Sequence, residues 1–246
     1  MDRLIYTALS GAVRTGEAMT AVSHNLANLG TTGFQADYTS ARSVTVPGAG
    51  KPSRIMALAE TSGVDLGPGA IVTTGRDLDV AVHGEALIAV QSADGREAYT
   101  RRGDLQLTPN GALLTGAGFP VLGNGGPIAI PQADKIEIGS DGTISIRPVG
   151  QVASTMATVD RIRLVSAQPG ELRKGEDGLL YTVNETALPL DANAQVLSGA
   201  LETGNVNAVA GLVEMIALSR TFETQIRLMR ENAENDRSSA ETMRIG

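Results

Sequence analysis

Residues 5–29 read IYTALSGAVRTGEAMTAVSHNLANL, and their spacing decides the fold class. Ile5, Ala12, Met19 and Leu26 recur every seven residues, and Ala8, Thr15, Val22 and Leu29 each follow by three. An alternation of three and four draws one stripe along a helix, the a and d positions of a heptad. Gly11 and Gly16 each lower helix stability by about 1 kcal/mol relative to Ala, so this helix depends on a partner. Its end is predicted at Asn28-Leu29-Gly30, with Gly30 in the left-handed conformation that closes many helices.

The far end of the chain repeats the device. Leu212, Met215, Ser219, Phe222, Ile226, Met229 and Ala233 alternate by three and four. Off that stripe, Glu223/Arg227, Arg227/Glu231, Arg230/Glu234 and Arg237/Glu241 are spaced to pair at i,i+4 and keep the outer face wet. Asn205 or Asn207 is the expected N-cap. Met19, Met215 and Met229 suit a helix seam, where a flexible thioether tolerates dissimilar neighbours; a plain intramolecular core has the same pattern.

Between these ends the period changes to two. Leu78, Val80 and Val82 alternate, and Asp94-Gly95, Pro109-Asn110-Gly111 and Asp141-Gly142 fall between short apolar runs as hairpin turns do. Residues 35–75 show neither period and are broken by Pro47-Gly48-Ala49-Gly50-Lys51-Pro52 and Gly67-Pro68-Gly69, which reads as an extended connector. The expected organisation is α+β: an N-terminal helix in 1–34, the connector in 35–75, a β-rich globular domain in 76–201, and a C-terminal helix in 202–246. Each terminal helix has an apolar stripe that it cannot bury alone. Pairing the two ends in a coiled-coil-like inner domain, and packing them on further copies, would cover both.

Composition narrows the function. The chain has 246 residues, 42% of them hydrophobic and 19% charged, which is rich enough in apolar groups to fold. A net charge of −7 without a basic run argues against nucleic acid as a partner. The absence of cysteine excludes thiolate metal sites, catalytic Cys and disulfides. No stretch approaches the roughly 18 apolar residues of a membrane span. The N-terminus also lacks the basic and apolar regions of a cleaved secretory signal, so any export is expected to use another route.

No catalytic, cofactor or metal site is predicted. His24 and His83 have no second ligand at metal-binding spacing. Gly116-Ala117-Gly118-Phe119-Pro120 lacks the order of a phosphate loop, and Asp141-Gly142 and Asp177-Gly178 lack the spaced carboxylates of a calcium loop. All of these read as turn chemistry. Asn25 and Asn28 admit two readings: they end the helix by bonding nearby backbone, or their amides bridge to a neighbouring subunit.

Ser23-His24-Asn25-Leu26-Ala27-Asn28-Leu29-Gly30-Thr31-Thr32-Gly33-Phe34 resembles the signature S-x-N-x-A-N-x-x-T-x-G-[FY] of the flagellar rod and hook protein family. The opening residues 1–8 are similar to its proximal-rod members. Leu78–Val82, Tyr99–Gly103, Val121–Pro131, Leu201–Asn207 and Arg220–Gln225 resemble further blocks of the family. Two departures stand out. Gly84-Glu85-Ala86-Leu87-Ile88 has no aromatic where one is usual, and Gly204 stands where Ser usually precedes Asn-Val. The resemblance implies a structural subunit of the basal-body rod, without catalysis, whose partners are other rod subunits and the flagellar type III export apparatus. It implies a helical inner domain and an outward β domain. Ile5, Ala12, Met19, Asn25, Leu26, Asn28, Gly33, Phe34, Leu212, Met215, Phe222, Ile226 and Met229 are the expected assembly residues. A distal-rod or hook subunit is the alternative within the family. A secreted β-rich binding or enzymatic domain is the alternative outside it.

Overall fold

The computed structural model describes residues 3–45, 55–150, 156–168 and 170–245. The chain divides into two compact units, one of residues 1–27, 37–63 and 207–246, the other of residues 28–36 and 64–206.

The first unit holds helices α1 (Arg3–Ala27) and α2 (Ala208–Ile245) and a ribbon of two strands, β1 (Asp37–Thr45) and β2 (Ile55–Val64). Leu26 of α1 lies against Gly211 of α2 while Thr15 and Gly11 lie against Gln225, so the helices run antiparallel. Asn207 is the cap of α2, its Oδ1 accepting from the Ala210 N–H at 3.1 Å. None of the four spaced Glu/Arg pairs on α2 closes among the described residues; their side chains stand in solvent. The stretch read as a connector is extended, but as a paired ribbon. Its strands carry no clean apolar alternation, which is why the period of two did not mark them. The Pro47–Pro52 break lies outside the described residues.

The second unit is a β domain of short antiparallel strands. Its largest sheet has the order β12 (Leu164–Ser166), β5 (Ala86–Gln91), β6 (Glu97–Thr100), β14 (Leu180–Thr182), β13 (Leu172–Lys174). A three-stranded sheet joins β11 (Ala157–Arg161), β10 (Thr143–Pro148) and β9 (Ala133–Ile138), with a register shift at Pro148, the position where a residue without an N–H does least harm. Three pairs complete it: β3 (Ile71–Thr73) with β16 (Ala200–Glu202), β4 (Val80–Val82) with β15 (Val196–Ser198), and β7 (Leu105–Leu107) with β8 (Leu113–Thr115).

The hairpin turns fall where the sequence put them. Gly95, Gly111 and Gly142 have φ of 84°, 84° and 83°, a region open to Gly without strain. Strand β5 is buried on both faces. Ala86, Ile88 and Val90 enter a core with Leu105, Ile144 and Leu164, while Leu87 and Ala89 enter a second core with Tyr99, Val165 and Leu180. The missing aromatic in 84–88 is thus absorbed by aliphatic packing. Strand β4 is also buried throughout, so its alternating sequence does not mark one wet face. Helix α1 ends at Ala27, and Gly30 is not the left-handed residue; that is Gly33, with φ of 63°. The backbone turns at Gly33 because its N–H is committed to Glu202 O at 2.8 Å and a Cβ there would run into the Arg101 carbonyl.

Candidate assembly surface

In the helical unit the stripe expected on α1 is covered except at Leu29, which lies beyond the helix end and is exposed. Ala12, Thr15 and Val22 are buried, and Ile5, Ala8, Met19 and Leu26 are half-buried. On α2 the half-buried positions include Gly211, Met215, Leu218, Ser219, Phe222, Gln225, Ile226 and Met229. Two positions expected on that stripe are exposed: Leu212, at 56%, and Ala233. The contact begins at Gly211, where the missing side chain admits Leu26, and Leu212 is turned about 100° away from it on a helix of 3.6 residues per turn. Ala233 lies level with the first turn of α1, at the far end of the seam. A second set of apolar side chains stays in solvent: Tyr6, Leu9 and Val13 on α1, and Val209, Leu212, Val213 and Ile216 on α2.

Asn25 has a partner inside the chain. Its Nδ2 donates to Asp37 O at 2.7 Å and its Oδ1 accepts from the Asp37 N–H at 2.9 Å, so the amide imitates a strand neighbour at the start of β1. His24 Nδ1 lies 2.6 Å from Asp37 Oδ2. One carboxylate and one peptide therefore tie β1 to the last turn of α1.

The remaining sequence candidates belong to the β unit. Asn28 closes a local turn, accepting from the Thr31 N–H at 3.0 Å and from Thr31 Oγ1 at 3.2 Å. Phe34 is buried, and Lys174 Nζ stands 3.8 Å from its ring centroid while donating to Gln35 O at 2.8 Å. Beside Gly33 lies an ion pair that sequence reasoning missed. Arg101 and Glu202 are both buried, with Nε and Nη2 of Arg101 each 2.8 Å from Glu202 Oε2. Arg101 Nη2 also donates to Gly84 O at 2.7 Å, and Glu202 Oε1 accepts from the Gly69 N–H at 2.8 Å. The available signal was opposite charge in two short strand-like segments, Thr100-Arg101 and Leu201-Glu202, which only the fold brings together.

Tyr99 is the other buried polar anchor. Its hydroxyl donates to Glu97 Oε1 at 3.0 Å and accepts from the Leu188 N–H at 2.8 Å. Burial pushes its phenol up from 10.0 to about 12, with the Leu188 N–H opposing and the Glu97 carboxylate adding to the rise. These are groups that hold strands together. Among the described residues no cluster of three or more His, Asp or Glu is arranged to hold a metal ion, and no helix is long and apolar enough to cross a membrane.

Two family models match the chain. Residues 81–146 match one described as the flagellar hook protein FlgE/F/G D1 domain, and residues 197–242 match the flagellar basal body rod FlgEFG protein C-terminal. The flagellar basal-body rod protein FlgF of Escherichia coli K12 is 43% identical over 235 residues, 93% of each chain. FlgF of Salmonella typhimurium is 39% identical over 242 residues, 96% of each. The flagellar basal-body rod protein FlgG of Bacillus subtilis is 31% identical over 256 residues, 93% of this chain and 94% of its own. With this identity maintained from end to end, and with the β domain and the terminal helix both matched, the chain belongs to the flagellar basal-body rod protein family.

Proposed function

We propose that this protein is a structural subunit of the proximal rod of the bacterial flagellum, without catalytic activity, that polymerises through its terminal helices and passes torque from motor to hook. The observation that carries this reading is the second apolar stripe, with Leu9 and Val13 on α1 and Val213 and Ile216 on α2 all about half exposed. The pairing of α1 with α2 leaves these side chains half uncovered, and covering the rest of each is worth about 1 kcal/mol, roughly half of full burial. In an assembled rod the helices act as a coiled-coil-like inner wall and the β unit faces outward. Other rod subunits are the partners, and the chain reaches them through the flagellar type III export apparatus. The relatives at 43% and 39% identity are both named FlgF, whereas the FlgG of Bacillus subtilis stands at 31%, which favours the proximal over the distal rod.

The experiment is Leu9→Asp and Val213→Asp in swimming cells. Both chains are expected to be made and exported, with the β unit melting normally, and motility is expected to be lost. Normal swimming with both variants would refute polymerisation through this face.

A further inference from the structure

The seam between α1 and α2 is apolar along most of its length, and a seam of that kind leaves pairing free to slip by a heptad. Among the described residues, a polar contact crosses it between Thr15 and Gln225. Thr15 is buried, and its Oγ1 lies 3.0 Å from Gly11 O and 3.2 Å from Gln225 Oε1. A hydroxyl has one hydrogen and serves one of these acceptors at a time. With the Gln225 amide turned over, Nε2 donates to Thr15 Oγ1 while the hydroxyl donates to Gly11 O, and the Thr15 hydroxyl is satisfied as donor and as acceptor. The missing side chain at position 11 leaves room for the amide end, which would have to shift if a Cβ stood there, 2.9 Å from the end of Gln225. A second notch lies further along, where a Cβ on Gly211 would stand 3.0 Å from Leu26 Cδ2. The two notches are separated by about 22 Å along α1 and about 21 Å along α2 at 1.5 Å per residue, so both close in the same antiparallel register.

We infer that Gly11, Thr15 and Gln225 form a register key that selects one alignment of the terminal helices. A slip by one heptad sets Gln225 against Ala8 or Val22 in place of Thr15, and against a residue with a side chain in place of Gly11. The amide then meets apolar neighbours and loses its partner, and the same slip takes Leu26 off Gly211, whereas the other apolar positions of the stripe exchange like for like. The key thus sets which α2 residues lie beside which α1 residues. It also sets how far α2, with 38 residues against 25, runs past the start of α1. This holds for the single chain and does not depend on the axial reading above.

The chain has no cysteine, so introduced pairs report register directly. The observed alignment places Met19 level with Leu218, and Met19→Cys with Leu218→Cys reports it. Ala12→Cys with Leu218→Cys and Ala12→Cys with Asn232→Cys report a slip of one heptad in either direction. In the full-length parent the first pair is expected to form a disulfide and the other two to stay at background. With Thr15→Val and Gln225→Leu added, the slipped pairs are expected to rise several-fold while helical circular dichroism is kept. Slipped pairs that stay at background in that variant would show that packing alone sets the register. Failure of the Met19/Leu218 pair in the parent would overturn the alignment itself. Loss of all three disulfides together with the helical signal would assign the key to stability instead of register, and would also overturn the inference.

Discussion

Glu202 gathers three distant segments at one residue. Its carboxylate takes the Gly69 N–H and the Arg101 guanidinium, and its carbonyl takes the Gly33 N–H. Removing one partner of a buried pair strands the other charge, which typically costs about 3–5 kcal/mol. Glu202→Gln is therefore expected to lower the unfolding free energy of the β unit by about that amount in urea denaturation followed by circular dichroism; a loss below about 1 kcal/mol would mean that solvent reaches Arg101. Tyr99 gives a pH signature. A phenol raised in the folded state favours its neutral form, so its contribution is complete below pH 10 and is lost as pH rises towards about 12. The thermal midpoint is expected to fall across that window, and to fall less steeply in Tyr99→Phe, which no longer titrates. Neither anchor was legible in the sequence. Arg101 and Glu202 lie in stretches singled out only for family resemblance, and no local pattern says that residues so far apart will share one dry site.

Among the elements, the β1–β2 ribbon is secured at one end by the Asn25 amide and His24. Asn25→Ala removes two bonds to the Asp37 peptide, each worth about 1 kcal/mol. Amides of residues 37–45 are expected to exchange faster with solvent deuterium in this variant, while those of β5 and β6 keep their parental rates. Unchanged exchange in 37–45 would mean that the helix does not hold the ribbon. On α2, Phe222 is half-buried on the side that bears Met215 and Gln225. Phe222→Asp puts a carboxylate in that seam at a cost of several kcal/mol if it stays buried. Swimming is expected to be lost while the protein is still synthesised and exported, and normal swarm-plate rings would contradict this. The helices themselves were legible because a period of 3.5 over several turns leaves few alternatives. The ribbon was not, because residues 37–45 and 55–64 carry no clean apolar alternation for a period of two to register.

At the scale of the molecule, the β unit takes in residues 28–36 and 64–206, beyond the span that its strand-like pattern suggests. Strand β3 pairs with β16, and Glu202 at the end of β16 neutralises Arg101. A fragment of 64–206 is expected to unfold in one cooperative thermal transition. A fragment cut to 76–201 keeps Arg101 but loses β3 and Glu202, and is expected to melt about ten degrees lower or more, since each kcal/mol shifts the midpoint of a domain this size by about 2–4 °C. Equal midpoints would show that the β3–β16 pair and the ion pair add nothing to the fold of this unit.

The sequence by itself determined what depends on near neighbours along the chain: the two helices from their alternation of three and four, and the hairpin turns at Gly95, Gly111 and Gly142 from the chemistry of left-handed backbone. It also carried the family resemblance, through the motif at residues 23–34. Tertiary structure alone decided what depends on distant partners. It turned Leu212 away from the α1 seam because Gly211 receives Leu26. It moved the left-handed turn from Gly30 to Gly33 because the backbone there closes on Arg101 and Glu202. It also set Gln225 against Thr15, since a register between two apolar stripes is fixed only where a polar group meets its match in space.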